Sequence, residues 1–132
     1  MSAIGNIYVP NDGPNDARIL FVGESPGEEE EKQRKPFVGT SGDLLIQTLG
    51  RYGVDRRNVK LSNLCHYRPQ GNKFEVLLGS AQLQSGIDEL RTQILTHRPT
   101  VIAALGGNPL YYLTGKSKKI TFWRGSILPC IW

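Results

Sequence analysis

The sequence contains few cysteines and no long apolar run. Its two cysteines, Cys65 and Cys130, lie far apart and do not form a pair of the kind that binds metals, so two free thiols are expected. No apolar run approaches the roughly 18 residues of a membrane helix, and the N-terminus has no charged region followed by an apolar one, as a signal peptide would. Internal repeats and low-complexity tracts are also absent. These absences predict a cytoplasmic protein in a reducing setting, without a membrane partner.

The composition that remains is that of one globular domain. The 132 residues are 39% hydrophobic and 21% charged, which excludes wholesale disorder and allows one sizeable core. The formal net charge of +4 favours polyanionic partners. A charge excess of this size is also common in proteins that bind nothing acidic, so the net charge alone decides no function.

Short apolar runs alternate with helical patterns along the chain. Continuous apolar runs predict buried strands at 18–22 and 100–105, and residues 59–63, with polar groups at the end, are predicted as a further strand. Helices are predicted from about 40 to 52 and from about 80 to 98, where apolar residues repeat on one face, and at 109–114, where Pro109 suits the first turn. This order predicts a three-layer α/β/α fold with a mostly parallel sheet of about four strands. The fourth strand would begin near Ile127, and because the sequence ends at Trp132 inside it, the C-terminal part is expected to be truncated.

The segments between these elements are irregular, and two of them are long. Residues 1–17 are interpreted as an irregular N-terminal lead-in, and residues 18–132 as the folded domain. Residues 23–39 are predicted to form a long loop, 64–78 a second irregular connection and 115–119 a basic loop. A long loop inside a compact domain usually serves a function, so the first two segments are the candidates for a site.

Polar and glycine-rich clusters lie at the carboxyl ends of the three predicted strands. The first comprises residues 23–27, the second residues 62–63 with His66 and Arg68, and the third residues 106–108. Because the carboxyl ends of parallel strands meet at one edge of a sheet, we expect the three clusters to converge on one ligand site.

Glu24, Phe37 and Asn63 are the candidate functional residues, and each has a purely structural alternative. Glu24 follows the first strand, where a carboxylate orients a water, stabilises a cationic transition state, or simply anchors the loop. Phe37 is either a platform for a flat base or a loop aromatic packed into the core. Asn63 either offers a donor and an acceptor to the edge of a base or forms a turn at the end of its strand.

The basic residues and the remaining polar motifs are weaker candidates. The candidates for phosphate contacts are Arg68, Lys73, Lys116, Lys118, Lys119 and Arg124. They would bind a polyanion such as DNA, although charge runs more often form solvated surface. His66 has no Cys or His at ligand spacing, so no metal site is predicted. Residues 28–31, a run of glutamates, are interpreted as a solvated acidic segment.

Four motifs in a fixed order give the sequence a family resemblance. They are GESPGEEEEKQRKPFVGTSGDLL, LSNLCHYRP with a following GN, RPTVIAALG and ITFWRG. With these motifs the sequence resembles the uracil-DNA glycosylase superfamily, in particular its family 4 type and the related domains attached to some bacteriophage DNA polymerases. The resemblance extends from about Arg18 to Gly125, which is most of the chain.

The resemblance implies a role for residues of the first two motifs. Glu24 matches the family's acidic position, which is associated with water activation or with stabilisation of the sugar cation. Phe37 matches the aromatic residue that stacks on the flipped uracil, and Asn63 matches the amide that reads the uracil edge. Gly23 and Ser25 belong to the same uracil-binding loop. The implied partner is DNA, either single-stranded or as a duplex with a flipped base.

The sequence departs from the family pattern in two respects. Family 4 enzymes carry four cysteines for a 4Fe–4S cluster, but here the N-terminal pair is absent, Tyr67 stands at the third position and Gly86 lies near the fourth. No cofactor is therefore expected. The family's His-Pro-Ser motif, whose His donates to the uracil carbonyl, does not occur in this sequence. Loss of such a donor costs on the order of 10²–10³ in rate.

The resemblance favours a DNA-repair glycosylase domain that hydrolyses the N-glycosidic bond of uracil in DNA and is weak or inactive as this fragment. The alternative is a non-catalytic glycosylase-like module that binds DNA or serves as a scaffold in a phage replication protein or DNA polymerase. An unrelated α/β enzyme for a small ligand is a third alternative, which the order of the motifs disfavours. The protein is expected to be a monomer or part of a larger polypeptide.

Overall fold

Three parallel strands form the sheet at the centre of the described part of the protein. A computed structural model describes residues 3–116 and 119–132. The strands are β1 (Ile19–Gly23), β2 (Lys60–Asn63) and β3 (Val101–Ala104). β1 lies in the middle and pairs in parallel with both neighbours, so the spatial order is β2–β1–β3.

Helices and short turns form most of the connections between the strands. The helices are α1 (Glu28–Gln33), α2 (Thr40–Arg51), α3 (Ala81–His97), α4 (Gly107–Thr114) and α5 (Ile120–Trp123). Short 3₁₀ turns lie at Arg56–Asn58, Gln70–Asn72 and Phe74–Leu77. Within residues 3–116 and 119–132, no helix is long and apolar enough to cross a lipid bilayer. The prediction of an α/β fold around a parallel sheet is confirmed.

The two faces of β1 contribute to two separate cores, because side chains alternate along a strand. Leu20 and Val22 belong to the larger core, whereas Phe21 belongs to the smaller one. In the larger core the helical members are Leu83, Leu90 and Ile94 of α3 and Leu113 of α4. In the smaller core the helical members are Leu45, Ile46 and Leu49 of α2. Helices therefore cover both faces of the sheet, as the three-layer prediction requires.

The N-terminal segment, residues 3–12, runs alongside β2 and the loop that follows it. Its backbone amides donate to carbonyls of β2 and of this loop at three points: Gly5 to Arg68, Val9 to His66 and Asp12 to Leu61. The buried imidazole of His66 has Nδ1 2.9 Å from the Val9 carbonyl and Nε2 3.1 Å from the Glu89 carboxylate. Its ring also packs against Tyr8, with 4.8 Å between the ring centroids. His66 therefore anchors the N-terminal segment.

Helix α1 lies inside the segment 23–39, which the sequence predicts as a loop. Its residues, EEEEKQ, have no apolar face, so hydrophobic periodicity does not indicate a helix there. Acidic residues in a first turn interact favourably with the helix N-terminus. Lys32 adds ion pairs to Glu28 at 3.2 Å and to Glu29 at 3.5 Å. The prediction of a continuous loop is therefore wrong for residues 28–33.

The strand predicted near Ile127 is not formed, and the sheet in the described residues has three strands instead of about four. Residues 120–123 are the helix α5, and residues 124–132 contain no strand. The Ile131 amide donates to the Leu113 carbonyl of α4 at 2.8 Å. Within this segment Cys130 and Trp132 therefore pack against the larger core, Ile127 is fully exposed, and no residue pairs with β3.

Gly86 of α3 and Gly50 of α2 provide a matched test of this packing. A Cβ added at Gly86 would overlap the Leu64 carbonyl and lie 3.1 Å from Cys65 Cα, whereas nothing lies within 4 Å of a Cβ added at Gly50. We expect Gly86→Ala to lower the free energy of unfolding by about 1–3 kcal/mol through overpacking. Gly50→Ala should raise it by about 0.5–1 kcal/mol, because alanine is the better helix former. Urea denaturation measures both, and a Gly86→Ala protein as stable as the parent would contradict the close approach of α3 to the end of β2.

Candidate active site

The carboxyl ends of the three strands meet at one cavity. Its volume is about 310 Å³. The chain passes from β1 to β2 on one side and then crosses to β3 on the other, so the strand ends form a topological switch point, where open α/β sheets bind ligands. The cavity is lined by Gly23, Asn63 and Leu105 at the strand ends, by Glu24, Ser25, Glu30 and Phe37 after β1, and by Ser41, Gly42 and Leu45 of α2.

Glu24 lies between the ends of β1 and β3. Its backbone carbonyl accepts a hydrogen bond from the Cys65 amide at 3.1 Å, which continues the pairing of β1 with β2. Its side chain reaches the glycine turn after β3, where a Cβ added at Gly106 would lie 3.2 Å from Glu24 Oε1. Gly106 has a φ of +116°, so a side chain there would also strain the backbone. Within the described residues the carboxylate has no hydrogen-bond or ion-pair partner, which leaves it available to a ligand.

Asn63 is the last residue of β2 and lies beside Gly23 in the parallel register. Only 6% of its surface is exposed. Its Oδ1 lies over the backbone of β1, since a Cβ added at Gly23 would be 2.6 Å from that atom. No hydrogen bond of the amide to another described residue is formed, although a buried amide normally has a partner. The amide therefore faces the cavity with its donor and acceptor free for a ligand.

Phe37 forms another wall of the cavity, with its ring over the end of β1. The ring atom Cζ would lie 3.0 Å from a Cβ added at Gly23. Its backbone adopts the left-handed conformation, with a φ of 56°, which is unfavourable for a bulky residue. Gly42 of α2 packs directly under this backbone, where a Cβ would overlap the Phe37 main chain. The ring position is therefore fixed by an unusual local conformation.

Glu30 of α1 holds the chain that follows Phe37, a role that the sequence interpretation missed. Its Oε2 accepts hydrogen bonds from the amides of Val38 at 3.0 Å and Gly39 at 2.6 Å. Its Oε1 accepts one from the Gly27 amide at 2.9 Å. The interpretation of 28–31 as a merely solvated acidic segment is therefore wrong for Glu30. The spacing could have indicated it, because an acid three residues into a helix often reaches back to the capping amide.

Among the described residues, the cations predicted to contact DNA do not line the cavity. Arg68 is tied to the protein itself, with Nε 2.8 Å from Asn72 Oδ1 and Nη1 3.5 Å from Glu31. Lys116 lies over the ring of Trp123 at 5.5 Å from its centroid. Lys119 and Arg124 are exposed, and Lys118 lies outside the described residues. The structure brings together Gly23, Glu24, Ser25, Phe37 and Asn63. It does not bring the four described cations, Arg68, Lys116, Lys119 and Arg124, to the same cavity.

The sequence is similar to those of uracil-DNA glycosylases. Residues 10–131 match the family model described as Uracil DNA glycosylase superfamily. The chain is 39% identical to a type-4 uracil-DNA glycosylase of Thermotoga maritima over 120 residues, which are 89% of this chain and 60% of that protein. It is 37% identical to a type-4 uracil-DNA glycosylase of Archaeoglobus fulgidus, over 75% of this chain and 48% of that protein. The family resemblance of the four sequence motifs is confirmed.

A relative of another kind is a DNA polymerase of Bacillus phage SP01. The two sequences are 28% identical over 87% of this chain, which is 12% of the polymerase. The chain spans about half to three fifths of the length of the two glycosylases named above.

The hydrogen bonds of Glu30 predict that it stabilises the loop of Phe37. Glu30→Ala removes the acceptor for the amides of Gly27, Val38 and Gly39, so we expect the free energy of unfolding to fall by about 1–3 kcal/mol. The matched control is Glu29→Ala in the same helix, which removes one exposed ion pair and should change stability by less than about 0.5 kcal/mol. Chemical denaturation of both variants is the measurement. Equal stabilities would show that Glu30 does not hold the loop.

Proposed function

Because the chain belongs to the uracil-DNA glycosylase superfamily, we propose that it is a glycosylase domain that hydrolyses the N-glycosidic bond of uracil in DNA. One observation carries this proposal: the free carboxylate of Glu24, the ring of Phe37 and the unpaired amide of Asn63 surround a single cavity. The names of the type-4 relatives support the same activity.

The cavity suits one base that has left the DNA stack. A base inside a duplex cannot reach a pocket at the strand ends, so the enzyme acts on a flipped or single-stranded nucleotide. Phe37 offers a flat face for stacking, and such stacking contributes about 1–3 kcal/mol per base. Asn63 then pairs with the uracil edge, where its oxygen accepts from the ring N3–H and its NH₂ group donates to the neighbouring carbonyl. Ser25 and Gly23 complete the loop around the base.

Glu24 is the residue proposed for the chemistry. In the reaction the bond between the sugar C1′ and uracil N1 breaks, and its electron pair leaves with uracil as an anion. The carboxylate of Glu24 stabilises the positive charge that develops on the sugar. It also orients the water that attacks C1′ and accepts the proton that this water releases. Before water attack, the free carboxylate between β1 and β3 places its negative charge where the sugar becomes cationic. It becomes neutral only when it takes the proton of the attacking water.

A second candidate function is a non-catalytic module within a larger replication protein. The similarity to a phage DNA polymerase over most of this chain favours it, because there the matching segment is a small part of a long polypeptide. Such a module would bind DNA, single-stranded or with a flipped base, through Arg68, Lys116, Lys118, Lys119 and Arg124. In either case we place the protein in the cytoplasm, as a monomer or as part of a larger chain.

The residues present do not fit the 4Fe–4S cluster that the resemblance to family 4 implies. The buried Cys65 has its Sγ 3.6 Å from the Tyr67 carbonyl, and burial raises the pKa of its thiol, which disfavours the thiolate that a metal needs. At Gly86 a cysteine Cβ would overlap the Leu64 carbonyl. In the part of the chain that the structure describes, no three His, Cys, Asp or Glu residues are grouped to hold a metal ion. We propose that this domain folds without the cluster.

Iron analysis of the anaerobically purified protein tests whether the domain folds without a 4Fe–4S cluster. We expect no stoichiometric iron or acid-labile sulfide and no visible charge-transfer band, because the donor set is incomplete. The variant Cys65→Ala/Cys130→Ala serves as the control for adventitious thiol-bound iron. Iron and sulfide in stoichiometric amounts that disappear in this variant would contradict the proposal.

Uracil release from single-stranded DNA that contains one uracil tests the activity and the role of Glu24. Glu24→Gln keeps the shape but removes the charge, so we expect the excision rate to fall by about 10²-fold or more. Asn63→Ala should also lower the rate, because it removes the amide that pairs with the base. Glu29→Gln, whose exposed side chain lies on α1 away from the cavity, is the matched control and should retain the parent rate.

The same assay separates the two candidate functions. DNA binding without any excision by the parent protein would support the non-catalytic module and contradict the proposal that this chain itself excises uracil. Excision that is unchanged by both Glu24→Gln and Asn63→Ala would leave the activity in place but contradict the assigned site.

A further inference from the structure

We propose that Arg56 is a positioning residue that fixes the Phe37 platform from the side opposite Glu30. The proposal rests on the proposed function, because it assumes that the ring of Phe37 receives the flipped base. It concerns a residue that touches neither the cavity nor the base.

The guanidinium of Arg56 makes its contacts with the backbone before and at Phe37. Its Nη1 donates to the Phe37 carbonyl at 2.7 Å, and its Nη2 donates to the Pro36 carbonyl. Nε and Nη2 also donate to Asp12 Oδ2, at 3.3 and 3.1 Å. Only 17% of the Arg56 side chain is exposed. One planar cation therefore joins two consecutive carbonyls and a carboxylate, which matches the fixed fork of donors on arginine.

These contacts matter because the backbone of Phe37 is strained. A non-glycine residue at a φ of 56° persists only where its surroundings over-determine it. Arg56 binds the carbonyls of Pro36 and Phe37, and Glu30 binds the amides of the two residues that follow. The strained residue is therefore held on both sides by charged groups, and removal of either group frees one side.

Asp12 connects this arrangement to the sheet. Its backbone amide donates to the Leu61 carbonyl at 3.0 Å, and its carbonyl accepts from the Leu61 amide at 2.8 Å. Its carboxylate therefore extends from a backbone that is fixed on the outer edge of β2. Asp12 and Arg56 therefore link the loop of Phe37 to β2, the strand that also carries Asn63. The two base-binding groups are held at a set separation in this way.

The neighbouring residue Arg57 is a matched control. It lies in the same 3₁₀ turn and carries the same charge, but 88% of its side chain is exposed. Among the described residues, its guanidinium bonds to Asp55, at 3.1 and 2.9 Å, and to no part of the Phe37 loop. A variant at Arg57 therefore changes the charge of the turn without changing the platform.

The experiment compares the parent chain with Arg56→Ala, Arg56→Lys and Arg57→Ala by two readouts. The first is the NMR spectrum of the Phe37 ring and of the Val38 and Gly39 amides, with and without free uracil. The second is the steady-state excision of uracil from single-stranded DNA. Circular dichroism and urea denaturation establish that each variant is folded.

We expect Arg56→Ala to shift and broaden the Phe37 signals and to lower kcat/KM by about 10–100-fold, since small displacements of a positioning group cost up to about 10²-fold. Most of this loss should appear as a higher KM, because a displaced platform weakens stacking in the substrate complex and in the transition state alike. A merely structural role would reduce the active fraction, which lowers kcat and leaves KM unchanged. Arg56→Lys should recover part of the loss, and Arg57→Ala should match the parent.

Folded Arg56→Ala with unchanged Phe37 signals and an unchanged KM would overturn the proposal. If Arg56→Ala does not fold, Arg56→Lys and Asp12→Asn provide the same readouts with a smaller perturbation, and parent-like signals and KM in both would overturn it. If the parent chain excises no uracil, the proposed function fails, but the NMR readout still decides whether Arg56 positions the ring.

Discussion

The parallel register between β1 and β2 is the constraint on which the site depends. It sets Gly23 beside Asn63, and the missing side chain of Gly23 leaves room for both the Asn63 amide and the Phe37 ring over the strand end. A slip of one residue would turn every side chain of a strand to the opposite face of the sheet. Such a slip would move Leu20 and Val22 out of the larger core. The burial that stabilises the fold therefore also enforces the geometry of the cavity.

The loop after β1 adds the second requirement, which is a fixed aromatic ring. Loops are usually the mobile part of a domain, yet this one is bound through charged groups from two different parts of the chain. Glu30 belongs to a short helix within the loop itself, and Arg56 follows α2. Hydrogen bonds to charged groups are among the stronger ones. Here Arg56 donates to backbone carbonyls, and Glu30 accepts from backbone amides. A base that stacks on Phe37 would therefore meet a surface that is organised before binding.

The sequence predicts the layers of this fold well and some of its loops poorly. Continuous apolar runs identify β1 and β3, and apolar periodicity identifies α3, because burial imposes those patterns. Helix α1 is missed because charged residues alone carry no periodicity. The segment after Gly125 is apolar like a strand, but the sequence does not reveal that Ile131 bonds to α4 instead of pairing with β3. An apolar pattern indicates that a segment is buried, but the element on which the segment packs depends on the rest of the fold.

In the site, too, some residues are predictable from the sequence pattern, whereas others depend on contacts that only the fold creates. Glu24 and Asn63 were predictable as neighbours because both lie at carboxyl ends of strands in one parallel sheet. Glu30 and Arg56 were not singled out, since their partners are backbone groups that only the folded chain brings to them. That the basic residues contact DNA stays a prediction, and the described ones among them lie away from the cavity wall.

The most direct test of this account is a crystal structure of the chain bound to single-stranded DNA that contains a 2′-fluoro-deoxyuridine, which resists cleavage. We expect the uracil to occupy the cavity at the strand ends, stacked on Phe37, with its edge on the Asn63 amide and the sugar C1′ next to the Glu24 carboxylate. A uracil that binds elsewhere on the protein, or that leaves this cavity empty, would contradict it.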